Sequence, residues 1–335
     1  MEVTSPPVLV IAWNRPAHAE AVMEAVRTAR PKRVFLAVDG PNESARSGEI
    51  GRVQKTISTL EGAIDWPCEV SRRYSEENAG CRLGVSRAID WFFESVDSGI
   101  ILEDDCVPSP TFFPYCASLL ERYRHDEQVM CISGDNSAHV PVPDGSDYAF
   151  IRYPQIWGWA TWKRAWDRYD RNLDRYKLAR QTDLWASIVP DDVERQTLER
   201  ILDRLAAEGK PDTWDYQWVA TLLLEHGLSV HPRENLVTNI GFGPEATHTR
   251  NPEEARSGVR AVESFSFTYR DVVALDVEVS HSLFMATQVA KRPLVDRPRA
   301  GSRGRAVSLL VRAWTTLPSG CKALIRPVLG GRGLR

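Results

Sequence analysis

The sequence predicts an α/β fold in which a mostly parallel sheet is flanked by helices. Residues 8–13 and 34–38 are short, continuous apolar runs, as expected of strands buried on both faces of a parallel sheet. Between them Val22, Ala25, Val26 and Ala29 repeat at helical spacing, and Pro31 ends that helix. Strand, helix and strand within about 32 residues form a βαβ unit, which is right-handed by default.

The same alternation continues along the chain. Residues 44–60 can form a helix and residues 68–71 a short strand, and apolar residues between 85 and 96 mark an amphipathic helix. A buried strand at 100–102, a helix at 112–124 and a strand at 129–133 follow. The second half is less regular: residues 157–168 are aromatic and basic, and amphipathic helices are predicted at 192–207 and 214–226.

The charge distribution divides the chain into two parts. The 335 residues carry a formal charge of -3, but residues 290–335 hold eleven basic residues against Asp296 alone. The preceding 289 residues carry 31 basic and 44 acidic groups, which argues against a nucleic-acid partner for this part. We therefore predict one α/β domain over 1–289 and a basic tail over 290–335. The tail pattern is compatible with an anionic membrane surface and equally with a solvated appendage.

Cysteine usage and the chain start predict a cytoplasmic protein, either free or peripheral on the inner face of the membrane. The six cysteines contain no CxxC pair, so they are interpreted as reduced thiols. Residues 1–7 are acidic and contain proline, unlike a secretory signal, and no segment approaches the about 18 to 20 apolar residues of a membrane helix.

An acidic triplet, Glu103-Asp104-Asp105, directly follows the apolar run 100–102. Acids after a strand often lie in a solvated loop or cap a helix. Here they stand at the carboxyl end of a parallel strand, where open α/β sheets bind ligands, and three adjacent charges repel unless a cation offsets them. Mg²⁺ or Mn²⁺ prefers oxygen ligands and is typically held by one or two carboxylates together with substrate phosphates, an arrangement that fits a nucleotide diphosphate. The phosphate loop GxxxxGKS and the dinucleotide motif GxGxxG are both absent.

Other polar side chains are weaker candidates. Asp39 ends the second strand and can accept a hydrogen bond from a base or ribose, although an Asp before Gly-Pro also forms turns. Arg15 and Arg82 are candidate nucleotide or diphosphate contacts, against solvated surface positions. Asp135 and Asn136 follow the strand 129–133 and are further candidates for contact with substrate.

With these residues in view, the chain resembles inverting glycosyltransferases of the GT-A fold, most closely the N-acetylglucosaminyltransferase I family. The likeness covers about residues 6–250. It lies in four segments: VLVIAWNR at 8–15, ILEDDCVPSPTFF at 101–113, WDYQW at 214–218, and the stretch from Gly241 to His248. Residues 157–166 are only partly similar and the tail is not.

The resemblance implies a Rossmann-like sheet with an irregular, aromatic-rich acceptor half. It implies that Asp39 contacts uracil and that Glu103, Asp104 and Asp105 contact donor sugar, ribose and metal in turn. Asp215 is then the catalytic base, and its neighbour Trp214 is assigned to the nucleotide sugar. The resemblance further implies a Mn²⁺ or Mg²⁺ cofactor and favours a UDP-sugar donor. The expected cytoplasmic placement indicates a glycan or lipid-linked saccharide acceptor for surface polysaccharide synthesis. His248 is assigned as a metal ligand, with an ordinary loop histidine as the alternative.

Several alternatives stay open. Asp215 could also serve helix stability alone, since the helix dipole favours an acidic residue in the first turn. The four tryptophans at 157, 159, 162 and 166 either stack on sugar rings or form core. The acidic triplet would also serve a sugar nucleotidyltransferase or a metal phosphohydrolase, and a saccharide-binding module could use the tryptophans and bind Ca²⁺ without catalysis.

Overall fold

The computed structural model describes residues 5–42, 48–143, 145–209, 212–242 and 259–289. The strands in these ranges are β1 (Val8–Ala12), β2 (Arg33–Val38), β3 (Glu69–Tyr74), β4 (Ser98–Glu103), β5 (Cys106–Pro108), β6 (Val129–Ser133), β7 (Tyr148–Ile151), β8 (Trp159–Trp162), β9 (Leu228–Pro232) and β10 (Val237–Asn239). The helices are α1 (Pro16–Ala29), α2 (Glu49–Gly62), α3 (Gly80–Phe93), α4 (Phe112–Arg122), α5 (Lys163–Trp166), α6 (Asp174–Arg180), α7 (Leu184–Ile188), α8 (Asp192–Glu208), α9 (Asp215–Leu224) and α10 (Val277–Phe284), which continues into a π-helical turn at Met285–Val289.

Eight strands form one sheet in the order β3-β2-β1-β4-β8-β6-β9-β7. The first four strands of this order are mutually parallel, as are β6 and β9. Strand β8 is antiparallel to both β4 and β6, and β7 is antiparallel to β9. Strands β5 and β10 pair separately. The predicted mostly parallel α/β sheet flanked by helices is confirmed.

Burial explains why the first strands are continuous apolar runs. All five residues of β1 are buried, and successive side chains point to opposite faces of the sheet. Val8 and Val10 pack in a core with α1 and α2, whereas Leu9 and Ile11 pack in a second core with α3. Because helices cover both faces, polar residues concentrate at the strand ends.

The second half is more ordered than the sequence indicated. Strand β8 was expected to belong to an irregular aromatic segment, but it lies at the centre of the sheet between β4 and β6. Trp159, Trp162 and Trp166 are all buried. Of the two alternatives for the four tryptophans, the core is therefore correct for Trp159, Trp162 and Trp166, since a central strand places its large apolar side chains in the core.

Some sequence-based expectations lie outside the described residues. These include His248 and the basic tail over 290–335 with Cys321. The other five cysteines are free thiols, as predicted. No helix in the described ranges has the length and apolar character needed to cross a membrane.

Candidate active site

A cavity of about 630 Å³ lies at the carboxyl ends of β1, β2 and β4, between α3 and α9. It brings together most of the residues singled out in the sequence. Its walls include Arg15, Asp39, Glu103, Asp104, Asp105, Trp214 and Asp215. Residues from both halves of the chain therefore share one cavity, which strand spacing alone could not establish.

Arg15 links two of the three adjacent acids. Its Nη1 donates to Oδ2 of Asp105 at 2.9 Å and to Oδ1 of Asp104 at 3.4 Å. Asp104 also accepts a hydrogen bond from the backbone N–H of Trp13 at 3.3 Å. The end of β1 thus supplies a cation and an amide to the acids at the end of β4, because the two strands are parallel neighbours.

The acidic triplet is electrostatically strained. Burial, and then the neighbouring charges of Asp105 and Asp104, raise the pKa of Glu103 to about 8. Burial followed by the charge of Asp105 raises the pKa of Asp104 to about 7, although Arg15 opposes this. These carboxylates therefore favour any additional cation.

Asp105 lies directly against the backbone of Gly241. A Cβ atom on Gly241 would stand 2.0 Å from Oδ2 of Asp105. The N–H of Ile240 also donates to the backbone carbonyl of Asp105 at 2.9 Å. Only glycine leaves room for the carboxylate here, which gives a physical reason for the glycine segment noted in the sequence.

The triplet provides a donor set that suits a hard divalent cation. Its oxygens are carboxylates, the ligand type that Mg²⁺ and Mn²⁺ prefer, and the pKa of Glu103 is raised first by burial and then by the adjacent charges of Asp105 and Asp104. The side chain of Asp105 is 20% exposed and that of Asp104 is 10% exposed, so Asp105 is the more accessible candidate metal ligand of the two. The residues present therefore fit the metal that the resemblance implies.

A second group of donor atoms lies outside this cavity. Asp191, Glu194 and His281 place ligand atoms within 4.8 Å of one another. These atoms already bind each other or nearby groups: His281 Nδ1 lies 2.8 Å from Glu194 Oε1, the Tyr153 hydroxyl donates to Glu194, and Asp191 accepts from two amides at the start of α8. We interpret this group as a hydrogen-bond network that holds α10 against α8.

Asp39 caps a helix as well as lining the cavity. Its carboxylate accepts hydrogen bonds from the N–H groups of Gly40 at 3.0 Å, Ala79 at 2.9 Å and Gly80 at 3.2 Å. Burial raises the pKa of Asp39 above its usual value, and the three amides oppose this. Asp39 thus lies at the end of the cavity beside β2 and β3, but most of its acceptor capacity is used by backbone.

The next two amides of α3 bind a second carboxylate. Asp212 accepts from the N–H of Cys81 at 3.1 Å and from that of Arg82 at 3.2 Å. The first amides of α3 are consequently occupied by side chains. A diphosphate in this cavity would have to be bound by other groups.

Arg82 does not line the cavity. Its Nη2 donates instead to the carbonyl of Arg171 at 2.8 Å. The α3 residues that do line the cavity are Gly80, Cys81, Gly84, Val85 and Ala88. Because these positions share one helix face, Arg82 lies about 130° from the centre of that face, and the expected diphosphate contact is not supported.

Asp215 is the first residue of α9 and faces the cavity. Its Oδ1 accepts a hydrogen bond from the hydroxyl of Thr213. Trp214 is only 1% exposed, and its ring stacks on Trp159 with centroids 5.5 Å apart. Trp214 therefore forms a buried wall that supports the backbone of Asp215. This differs from the expected direct contact of Trp214 with the nucleotide sugar.

Trp157 differs from the other three tryptophans of its segment. It is partly buried, lines the cavity and meets Phe242 edge-on with ring centroids 5.6 Å apart. Asp135 also lines the cavity and is 1% exposed, whereas the side-chain amide of Asn136 donates hydrogen bonds to the backbone carbonyls of Val140 and Arg233. Of the pair Asp135 and Asn136, the structure places only Asp135 at the site.

Arg73 is among the cavity residues that the sequence analysis missed. It is the fifth residue of β3 and lines the end of the cavity beside β2 and β3. The signal was present, since a basic residue near the carboxyl end of a parallel strand is a candidate ligand contact. It was obscured because the strand was expected to end at residue 71.

Comparisons with known proteins return structures only. No family model and no curated protein matches the chain. The mannosyltransferase PcManGT from Pyrobaculum calidifontis, solved with GDP-Man and Mn²⁺, is 12% identical over 66% of this chain and 69% of that one, with a TM-score of 0.34. HddC from Yersinia pseudotuberculosis with GMP-PN is 11% identical over 38% and 57%, with a TM-score of 0.27. The galactosyltransferase LgtC, with donor and acceptor sugar analogues, is 14% identical over 52% and 64%, with a TM-score of 0.28.

These similarities are weak. The chain spans just over half of HddC, and all three scores lie well below those of closely superimposable folds. None of the three is an N-acetylglucosaminyltransferase I, so that resemblance rests on the sequence segments alone.

Proposed function

We propose that this protein is a metal-dependent inverting glycosyltransferase, which moves a sugar from a nucleotide-diphosphate donor to a glycan or lipid-linked saccharide. One observation carries the proposal. The acids Glu103, Asp104 and Asp105, of which Asp104 is buried, share a single cavity with Arg15 and with Asp215 from the other half of the chain. Cation-binding groups and a separate carboxylate are the two components that a single displacement at a sugar carbon requires.

The first component manages charge on the leaving diphosphate. In the proposed reaction negative charge grows on the diphosphate, and Arg15 is placed to donate hydrogen bonds to it from beside Asp105. A Mn²⁺ or Mg²⁺ ion held by Asp105 would supply Lewis-acid stabilisation of the same charge. Glu103 and Asp104 are assigned to the donor sugar and ribose.

The second component removes a proton from the acceptor hydroxyl. Asp215 is the assigned base, because it faces the cavity and stands at the start of α9, where the helix dipole favours the ionised carboxylate. The hydroxyl of Thr213 orients its Oδ1. Trp157, on the cavity wall, is assigned to the acceptor sugar.

The other functions make different demands on the site. A sugar nucleotidyltransferase or metal phosphohydrolase would use the triplet but has no need of Asp215. A saccharide-binding module would need no nucleotide. The buried state of Trp159, Trp162 and Trp166 disfavours the binding module, since these rings are not available to a sugar.

Nucleotide binding and donor hydrolysis test the proposal. The full chain is titrated with UDP and GDP, with and without Mn²⁺, and then incubated with a panel of nucleotide sugars. We expect metal-dependent binding, slow release of free sugar from one donor (a UDP-sugar is favoured), and loss of both in Asp105→Asn. Asp126→Asn, in the α4–β6 connection, is the matched control. Absence of metal-dependent nucleotide binding in the parent chain would exclude the proposed enzyme.

The membrane-surface partner concerns the tail alone. Only the charge of residues 290–335 supports it. A chain ending at Val289 is compared with the full chain on anionic and neutral vesicles. We expect the full chain to sediment with anionic vesicles only, and equal sedimentation of the two chains would refute this contact.

A further inference from the structure

We infer that Arg73 recognises the base of the nucleotide and favours bases with carbonyl edges, namely uracil, thymine and guanine, over the amino bases cytosine and adenine. The inference rests on the proposed function, because it takes a nucleotide as the ligand of this cavity. It adds a specificity-determining residue and a class of donor base.

The register of the sheet turns Arg73 toward the cavity. Arg73 pairs with Ala37 of β2, and Ala37 packs in the core that contains α3. Neighbouring side chains on a strand point to opposite faces. Arg72 pairs with Leu36 and therefore faces α2, where it forms an ion pair with Glu61 at 2.7 Å.

Arg73 is exposed, and its guanidinium forms no hydrogen bond or ion pair with any described residue. The neighbouring side chains of Asn78 and Asp39 already have hydrogen-bond partners. Asn78 donates to the carbonyl of Gly40 at 3.0 Å and accepts from the N–H of Gly80 at 3.1 Å, while Asp39 accepts from three amides. Among the described residues at this end of the cavity, Arg73 is thus a charged donor without a partner.

A nucleotide base would reach this end of the cavity when its diphosphate lies near Arg15. Arg15 and the acidic triplet stand at the ends of β1 and β4, whereas Arg73 is on β3, the edge strand two positions from β1. Adjacent strands are about 4.8 Å apart, so β3 lies about 10 Å from β1. This spacing matches the distance from a diphosphate across a ribose to its base.

A guanidinium has donors only, so its partner must be an acceptor. Guanine offers O6 and N7, and uracil and thymine offer O4. Cytosine and adenine carry an amino group at the equivalent position, which would set donor against donor and leave a polar group unsatisfied. Discrimination by one such contact is about tenfold to a hundredfold.

Nucleotide titrations of the full chain in Mn²⁺ test this contact. Affinities for UDP, dTDP, GDP, CDP and ADP are measured for the parent chain, Arg73→Met, Arg73→Gln and the control Arg72→Met on the opposite face of β3. We expect the parent chain to bind UDP or GDP at least tenfold more tightly than CDP and ADP. Arg73→Met should bring these ratios close to one, Arg73→Gln should lower them, and Arg72→Met should leave them unchanged.

Two outcomes would overturn the inference in different ways. If Arg73→Met weakens all five nucleotides equally, or none, then Arg73 contacts the ribose-phosphate or only solvent, and the base inference is wrong while the proposed function stands. If the parent chain binds no nucleoside diphosphate, both fall. Because Arg73 is exposed on an edge strand, the variants are expected to fold, which an unchanged Tm would verify.

Discussion

The carboxylate of Asp212 accepts a hydrogen bond from the backbone N–H of Cys81 over 3.1 Å, although 131 positions separate the two residues. Asp212 immediately precedes Thr213, Trp214 and Asp215. This hydrogen bond therefore connects the segment that carries the candidate base to helix α3, which borders the end of the cavity beside β2 and β3. The two ends of the cavity are thereby joined by a side-chain cap.

Removal of this cap should affect stability and rate together. We expect Asp212→Ala to lower the free energy of unfolding by about 1 kcal/mol, because it leaves two amides of α3 without their partner. Sugar transfer should fall about tenfold or more as the Asp215 segment loosens. Urea unfolding and donor kinetics measure both. Asp65→Ala, which removes only a surface ion pair, should change neither.

Asp215 and Asp135 are two carboxylates of the same cavity with different expected roles. Asp215→Asn should reduce transfer by about 10²- to 10⁴-fold and leave nucleotide-sugar affinity within a few fold, since an amide cannot accept the proton. Steady-state kinetics and calorimetry separate the two effects. Near-normal turnover in Asp215→Asn, combined with an inactive Asp135→Asn, would transfer the base assignment to Asp135.

Gly241 is expected to be required for metal-dependent nucleotide binding. Gly241→Ala would place a methyl group 2.0 Å from Oδ2 of Asp105 and so displace the assigned metal ligand. We expect the Mn²⁺-dependent part of UDP affinity to disappear. Gly51→Ala is the control: nothing lies within 4 Å of its Cβ in helix α2, so it should stabilise the fold by about 0.5–1 kcal/mol without affecting binding. Retained Mn²⁺ dependence in Gly241→Ala would contradict the assignment of Asp105.

The contact between His281 and Glu194 predicts a pH-dependent stability. The hydrogen bond to Glu194 raises the pKa of His281 above its usual 6.5, and Asp191 adds to this. The stabilisation is therefore complete below about pH 6.5, where the unfolded chain is also protonated, and is lost as pH rises through the folded pKa. Urea unfolding of the parent chain and His281→Gln should show a difference at pH 6 that shrinks at pH 9. A difference independent of pH would mean that the ion pair does not contribute.

Two tryptophans two residues apart should respond oppositely to truncation. Trp159→Ala should cost about 3–5 kcal/mol of stability, because the indole is fully buried against Trp214. Trp157→Ala should cost less and mainly raise the KM for the acceptor. Thermal unfolding and acceptor kinetics distinguish these effects. An unchanged acceptor KM in Trp157→Ala would remove Trp157 from the assigned acceptor contacts.

The sequence alone determined the layout of the first half of the fold. Runs such as residues 8–13 and 34–38 are buried on both faces of the sheet. A continuous apolar run predicts such burial whatever the order of the neighbouring strands. The sequence also located the triplet Glu103 to Asp105 at a strand end, since charged carboxylates are excluded from the core in which the preceding apolar strand is buried. These are properties of contiguous residues.

Only the tertiary structure decided which distant groups meet. Strand β8 could not be recognised from WATW, because a short apolar strand has no alternation and its partners are 26 to 64 residues away along the chain. The outward turn of Arg82, the inward turn of Arg73 and the cap from Asp212 follow from helix phase, strand register and a contact across 131 positions. Such relations depend on the packing of whole elements, which no local spacing encodes.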